Sequence, residues 1–427
     1  MTSAHEPAHR MPNPWYVGVV SGMASYIDAA AIVSSGIALV IYQHTIGLGA
    51  DQIGILSATL TFCIAIGALV GGRLGDRFGR RSVFMVTMAM IVVGSALLVF
   101  TTSFAMLFVG TMLVGLGTGA DLPVSLATIG EACDDRNRGK IIGLSNLLWV
   151  GGIIGTIAIA SVAGGLGRLG GQIMLGQVGV IAFVLFFLRI GIPESASWAQ
   201  ARDERRAGVQ TIRADKVAFR DLMGAQYRRP FLALMGFYCL VNLAANTGGQ
   251  FGTYLAVNVV GISVELNSQI GLAMFPVGLI AGLWFMKIVD TQRRMNYFAL
   301  GAVVYALGFI LPVVFGFNLA TLIVMQLCQG VGGAFAFEGI LKVWMQESFP
   351  TLLRSQAQGY IIAIARFAAG ALALVTPRLM GAGPQVLYAG LSLLVVVGLL
   401  IAWFTFRRGV ANQFDVESEL DPAVAPA

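Results

Sequence analysis

Glu131-Ala-Cys-Asp-Asp-Arg-Asn-Arg138 is answered far down the chain by Glu347-Ser-Phe-Pro-Thr-Leu-Leu-Arg354, and each segment interrupts otherwise apolar sequence. In both, Glu precedes Arg by seven residues. Each Glu is in turn preceded by an Asp, Asp76 at a distance of 55 residues and Asp290 at 57. A shift of about 215 residues therefore lays one half of the chain on the other. Such a doubling in an apolar chain predicts two membrane halves related by an axis along the membrane normal, with a solute site where they meet.

Hydrophobic residues make up 57% of the 427 and charged residues 11%, well under the roughly 25% of an ordinary soluble domain. The apolar content comes in runs long enough to cross a bilayer as helices. They fall at 15–43, 52–73, 82–101, 103–130, 140–164, 171–192, 230–260, 264–288, 295–316, 319–346, 355–380 and 384–406. Helix is the expected state because lipid offers backbone groups no partner outside their own segment. The expected fold is an all-α membrane protein of twelve transmembrane helices in two six-helix, pseudo-symmetric halves. Residues 1–193 form the N-terminal half, 194–229 a polar cytoplasmic linker, 230–406 the C-terminal half and 407–427 a disordered cytoplasmic tail.

The net charge of +6 is a topology signal. With the N-terminus inside, Arg10, the Arg73–Arg81 cluster, the linker and the segments around Arg293 and Arg407 hold most of the cations. Outside loops hold only Arg168 and Arg378. That asymmetry places both termini in the cytoplasm of a multi-pass cell-membrane protein, and the charge implies no nucleic-acid partner. The polar first fourteen residues and the long run that follows do not form a cleavable signal peptide. Cys63, Cys133, Cys239 and Cys328 lack metal-ligand spacing and read as packing residues. His5, His9 and His44 all lie outside the spans. No metal, cofactor or enzymatic activity is expected. The expected partners are the bilayer, a small solute and protons, with the monomer as the working unit.

Between spans 2 and 3 stands Gly72-Arg-Leu-Gly-Asp76-Arg-Phe-Gly79-Arg80-Arg81. It resembles the signature loop of the major facilitator superfamily. Gly79 permits a tight turn, and Asp76 can pair with Arg or cap a helix N-terminus. The repeated Asp–Glu–Arg set, Pro193-Glu194-Ser195-Ala-Ser-Trp198 after span 6 and Glu347-Ser-Phe-Pro350 after span 10 are similar to the sugar-porter and metabolite-porter branch. The resemblance implies alternating access, with a cytoplasmic latch of Gly72, Asp76, Gly79, Arg80, Arg81, Glu131, Arg138, Glu194, Asp290, Glu347 and Arg354. It also aligns Asn146 in span 5 with a sugar-contacting amide, with Trp149 three residues on. The chain departs from the branch at Thr111, where an Arg is usual, and at Lys342, where a stacking Trp is usual.

Ionisable residues at bilayer depth are costly and mark solute or ion pathways. Asp28, Asp121, Glu338, Lys342, Arg366 and Lys287 are singled out, Lys287 as an interfacial snorkeller. Asp28 resembles the branch's proton-coupling Asp in span 1. Low dielectric disfavours its charged form, as loading and release of a proton require. Asp121, about 15 Å from Glu131 along the helix, is the second coupling candidate, facing either a cavity or the helix 2–4 seam. Glu338 and Lys342 stand one turn apart in the favourable order for an ion pair. They are either a self-neutralised packing pair or a pair that solute can split. Arg366 supplies a fixed positive charge. In span 7, Asn242, Asn246, Gln250 and Tyr254 recur every four residues and draw one polar stripe. Amides carry donors and acceptors together, which suits hydroxyl-rich solutes.

These residues point to a secondary active transporter of a small polar metabolite, a sugar, polyol or sugar acid, by proton symport. The alternatives are an organic-anion or aromatic-acid symporter and an uncoupled facilitator. A drug/proton antiporter fits less, since span 5 lacks the Pro of that group's motif.

Overall fold

Local capping chemistry marks the start of several helices. Asn13 accepts the Trp15 amide at 2.9 Å and Pro14 opens the first helix, which closes at Gly47 with φ +73°. Ser263 and Asn318 cap later helices in the same way. The computed structural model describes residues 13–132, 135–194, 222–224, 226–289, 291–349 and 351–407. Among them the first six long helices are α1 (Pro14–Ile46), α2 (Ala50–Phe78), α3 (Arg80–Val99), α4 (Phe104–Ala132), α5 (Asp135–Ala163) and α6 (Arg168–Ile190). Then come α7 (Arg228–Leu255), α8 (Val264–Ile288), α9 (Arg294–Phe315), α10 (Leu319–Ala336), α11 (Glu338–Ser348), α12 (Thr351–Ala382) and α13 (Pro384–Phe406). Twelve stretches are long and apolar enough to cross a membrane, α10 and α11 together forming the tenth. Most of the expected linker, the tail beyond Arg407, Asp290 and the side chains of Asp76, Glu131, Arg138 and Arg354 lie outside the described residues.

The chain divides into two compact units, Met1–Asp215 and Lys216–Ala427. Their internal packing repeats. In the first unit α4 packs on α2 and α3, α1 on α5 and α6, and α3 on α6. The second unit places its spans in the same pairs: α10 on α8 and α9, α7 on α12 and α13, and α9 on α13. One wiring diagram is thus used twice, as the doubled landmarks require.

Glycines at four-residue spacing set the closest approach in the first unit. A Cβ on Gly67 would stand 2.6 Å from the Leu116 carbonyl oxygen, and one on Gly115 2.7 Å from Cys63 Cβ. The α2–α4 seam is therefore near backbone-to-backbone contact, the use small residues have in membrane bundles. The same spacing at Gly278 and Gly282 does less. Gly278 approaches Gly330 at 3.8 Å and Gly282 meets nothing within 4 Å.

The tenth apolar run differs from the single helix expected over 319–346. It breaks at Phe337, with φ −129° and ψ −111°, and a new helix starts at Glu338. The Phe337 ring stacks on Tyr238 at 5.7 Å and on Tyr305 at 6.1 Å, nearly parallel to both. Aromatic neighbours on two other helices hold the ring where a continuous helix would not put it. The Gly332-Gly333 pair just before it offers the backbone little helical resistance. Span 7 also ends irregularly, in a π-helical turn at Ala256–Val260 closed by Gly261 with φ +81°.

Candidate functional site

In the first unit, α1 carries Asp28 into the seam with α5. Three residues before it, the Ser25 and Ser145 hydroxyls meet at 2.7 Å. Tyr26 lies along Gly151, Gly152 and Gly155, where a Cβ at Gly155 would stand 2.5 Å from its hydroxyl. This close approach brings the Trp149 indole within reach, and its Nε1–H donates to Asp28 Oδ2 at 3.3 Å. Asp28 is buried. The structure thus joins two of the expected site residues, Asp28 and Trp149. Asn146, one turn before Trp149, is exposed.

Asp121 turns from the α2 seam toward α3 and α6. Thr87 donates to its Oδ1 at 3.1 Å and Ser125 to its Oδ2 at 3.4 Å. Its main partner is Arg189 of α6, whose Nη1 pairs with Oδ1. Arg189 is entirely buried. Its Nε donates to the Val20 carbonyl at 3.4 Å, and its Nη2 to the Val20 and Ser21 carbonyls at 3.3 and 3.4 Å and to Ser125 Oγ at 3.2 Å. The guanidinium also lies 4.5 Å from the centroid of the Phe84 ring. A charged group out of water is tolerated when its donors are filled in this way. The network ties α1, α3, α4 and α6 together. Arg189 falls inside the apolar run 171–192 but is not among the residues singled out from the sequence. Its place near the end of that run gives it the look of an interfacial cation.

In the second unit the first half of α7 reaches the break in span 10, where Tyr238 stacks on Phe337. Asn242 and Asn246 are half-buried and make no hydrogen bond among the described residues, while Gln250 and Tyr254 are buried. One turn earlier on the same face, Tyr238 donates its hydroxyl to Glu338 Oε1 at 3.4 Å. Tyr238 extends the four-residue period backward, a signal present in the sequence but left unread. Glu338 Oε2 lies 3.4 Å from Lys342 Nζ, and the two side chains are 40% and 45% exposed. The break matters here because it begins α11 at Glu338, so the two charges project one turn apart from the start of a short helix. Arg366 lies half-buried on α12, which packs against α7.

Latch residues within each unit also meet. The Glu194 carboxylate accepts the Arg80 and Arg81 backbone amides at 2.7 and 3.3 Å, capping α3 after Gly79 turns the chain with φ +97°. Glu347 accepts a forked pair from Arg294 at 2.6 and 3.1 Å. Gly72 has open space where a Cβ would stand.

The sequence model described as Major Facilitator Superfamily matches residues 16–374. The minor myo-inositol transporter IolF of Bacillus subtilis is 31% identical over 397 residues, covering 90% of each chain. The putative niacin/nicotinamide transporter NiaP of the same organism is 23% identical and covers 81% of this chain and 84% of its own. The crystal structure of a D-xylose-proton symporter superimposes with a TM-score of 0.74 at 15% identity, over 92% of this chain and 97% of that one. Twelve membrane-crossing stretches, a repeated packing scheme and these matches lead to one conclusion: the chain belongs to the major facilitator superfamily.

Proposed function

We propose that this protein is a secondary active transporter that takes up a small polyhydroxylated solute, a cyclic polyol or sugar, together with protons by alternating access. The observation that carries the reading is the pair of half-buried amides, Asn242 and Asn246, with no hydrogen-bond partner among the described residues, on one face of α7. Unpartnered amides at bilayer depth are costly unless water or solute meets them. Glu338, joined to that face by Tyr238, adds an acceptor for solute hydroxyls, and the kinship with a myo-inositol transporter supports the same class. Gln250, Tyr254, Asn146 and Trp149 complete the proposed contacts. Asp28 is the coupling group. Asp121, locked to Arg189, serves as a clamp within the first unit. The protein sits in the cell membrane with both termini in the cytoplasm and works as a monomer.

Lys342 and Arg366 favour a second reading, an organic-anion symporter, which the kinship with NiaP also suits. Against it, Glu338 partly neutralises Lys342. Uptake into proteoliposomes under an inward proton gradient separates the two. Labelled myo-inositol or D-xylose accumulation, lost on adding a protonophore and lowered at least about tenfold by Asn246→Ala, is the expected result. Accumulation of nicotinate instead, abolished by Arg366→Gln and indifferent to Asn246→Ala, would replace the polyol reading with the anion one.

A further inference from the structure

Within the first unit, α2, α3 and α4 enclose an apolar crevice of about 510 Å³. Ile66, Val70, Leu74 and Phe78 form one wall, Val86 and Met90 the other. The floor lies along α4, where the small residues of the α2–α4 seam leave space. Val86 is 59% exposed and Phe78 55%, so the crevice opens to the surroundings. From Ile66 to Phe78 it runs about 18 Å along the helix axis, close to the roughly 15 Å depth of one leaflet's hydrocarbon. Its end at Phe78 is basic. Arg73, Arg77 and Arg81 are exposed there, and none of their side chains makes an ion pair or hydrogen bond among the described residues. The Arg77 guanidinium stands 5.3 Å from the centroid of the Phe78 ring, which lines the crevice. Arg73, a turn deeper, reaches the same level by extending along the helix.

We propose that this crevice is a binding site for an anionic phospholipid, one acyl chain lying between α2 and α3 and the phosphate held among Arg73, Arg77 and Arg81. The apolar walls call for an acyl chain, which a free phosphate lacks, and three exposed cations favour an anionic headgroup over a zwitterionic one. Basic residues near a membrane surface attract acidic lipids, each contributing about fivefold in affinity.

The test uses the full chain purified in detergent and titrated with phosphatidylglycerol or phosphatidylcholine, read by native mass spectrometry. One phosphatidylglycerol is expected to remain bound more tightly than phosphatidylcholine. Arg73→Gln with Arg77→Gln should lower phosphatidylglycerol affinity about thirtyfold and leave phosphatidylcholine unchanged. Val86→Trp, which fills the mouth, should weaken both lipids. A short-chain dihexanoyl phosphatidylglycerol should bind more weakly than the long-chain lipid, a check that needs no variant. Equal affinity for the two headgroups, or phosphatidylglycerol binding unmoved by the Arg substitutions, would overturn the assignment. So would displacement of the lipid by soluble glycerol phosphate, or a Val86→Trp protein that keeps its lipid at unchanged affinity.

Discussion

Arg189 brings a permanent positive charge to a place without water, and everything around it answers that charge. One carboxylate, two carbonyls of α1, a hydroxyl and a ring face meet its donors and its plane. Removing either partner would strand the other. Asp121→Asn or Arg189→Gln should therefore cost about 3–5 kcal/mol, seen as a large drop in the unfolding temperature in detergent. Whatever protein survives should keep the pH profile of uptake, the outcome expected of a pair whose proposed role is to hold four helices together. A normal unfolding temperature with a displaced pH profile would instead return Asp121 to the coupling role. Asp28 accepts a hydrogen bond from the neutral Trp149 indole. Asp28→Asn keeps an acceptor for Trp149 but cannot carry a proton. Uphill accumulation should vanish while solute exchange continues. Undiminished accumulation against a gradient would remove Asp28 from the mechanism.

Among elements, the α2–α4 seam and the glycine pair of α8 share one sequence pattern and meet different surroundings. A methyl on Gly67 would strike the Leu116 carbonyl and the Ala120 amide, backbone atoms that cannot give way. Gly67→Ala should destabilise the protein by about 1–3 kcal/mol. Gly282→Ala meets open space and should be harmless. Thermal unfolding of the two single variants makes the comparison, and equal losses would mean that spacing alone, without contact, governs. Small-xxx-small spacing was legible in both places. Which pair touches another helix was not, because spacing describes one helix and contact needs two. The break at Phe337 has the same origin. A hydropathy profile sees an unbroken run through 319–346, whereas the stack of Phe337 between Tyr238 and Tyr305 exists only once three helices are assembled.

For the molecule as a whole, each unit makes a contact through residues of the proposed latch, Glu194 on the amides of α3 and Arg294 forked onto Glu347. Both are partly exposed, so each is worth little alone. Glu194→Gln and Arg294→Gln should each slow uptake no more than about fivefold, the effect of losing up to about 1 kcal/mol at a helix terminus or an exposed pair. The two share no partner, so their effects should multiply in the double variant. Initial uptake rates in proteoliposomes give the answer. A double variant no slower than either single would mean that the latches act as one device.

The amino-acid order by itself determined the twelve spans, the doubled plan, the signature loop and the polar stripe of α7. All of these are repeated or periodic along one segment, and the cost of placing polar groups in lipid writes them plainly into hydropathy. Only the tertiary structure decided that Trp149 reaches Asp28, that Arg189 claims Asp121 and that Tyr238 joins the stripe to Glu338. Each of those pairs is separated by more than sixty residues. A buried charge or hydroxyl is tolerated only for the partner it finds, and that partner is brought by helix packing, which no single segment records.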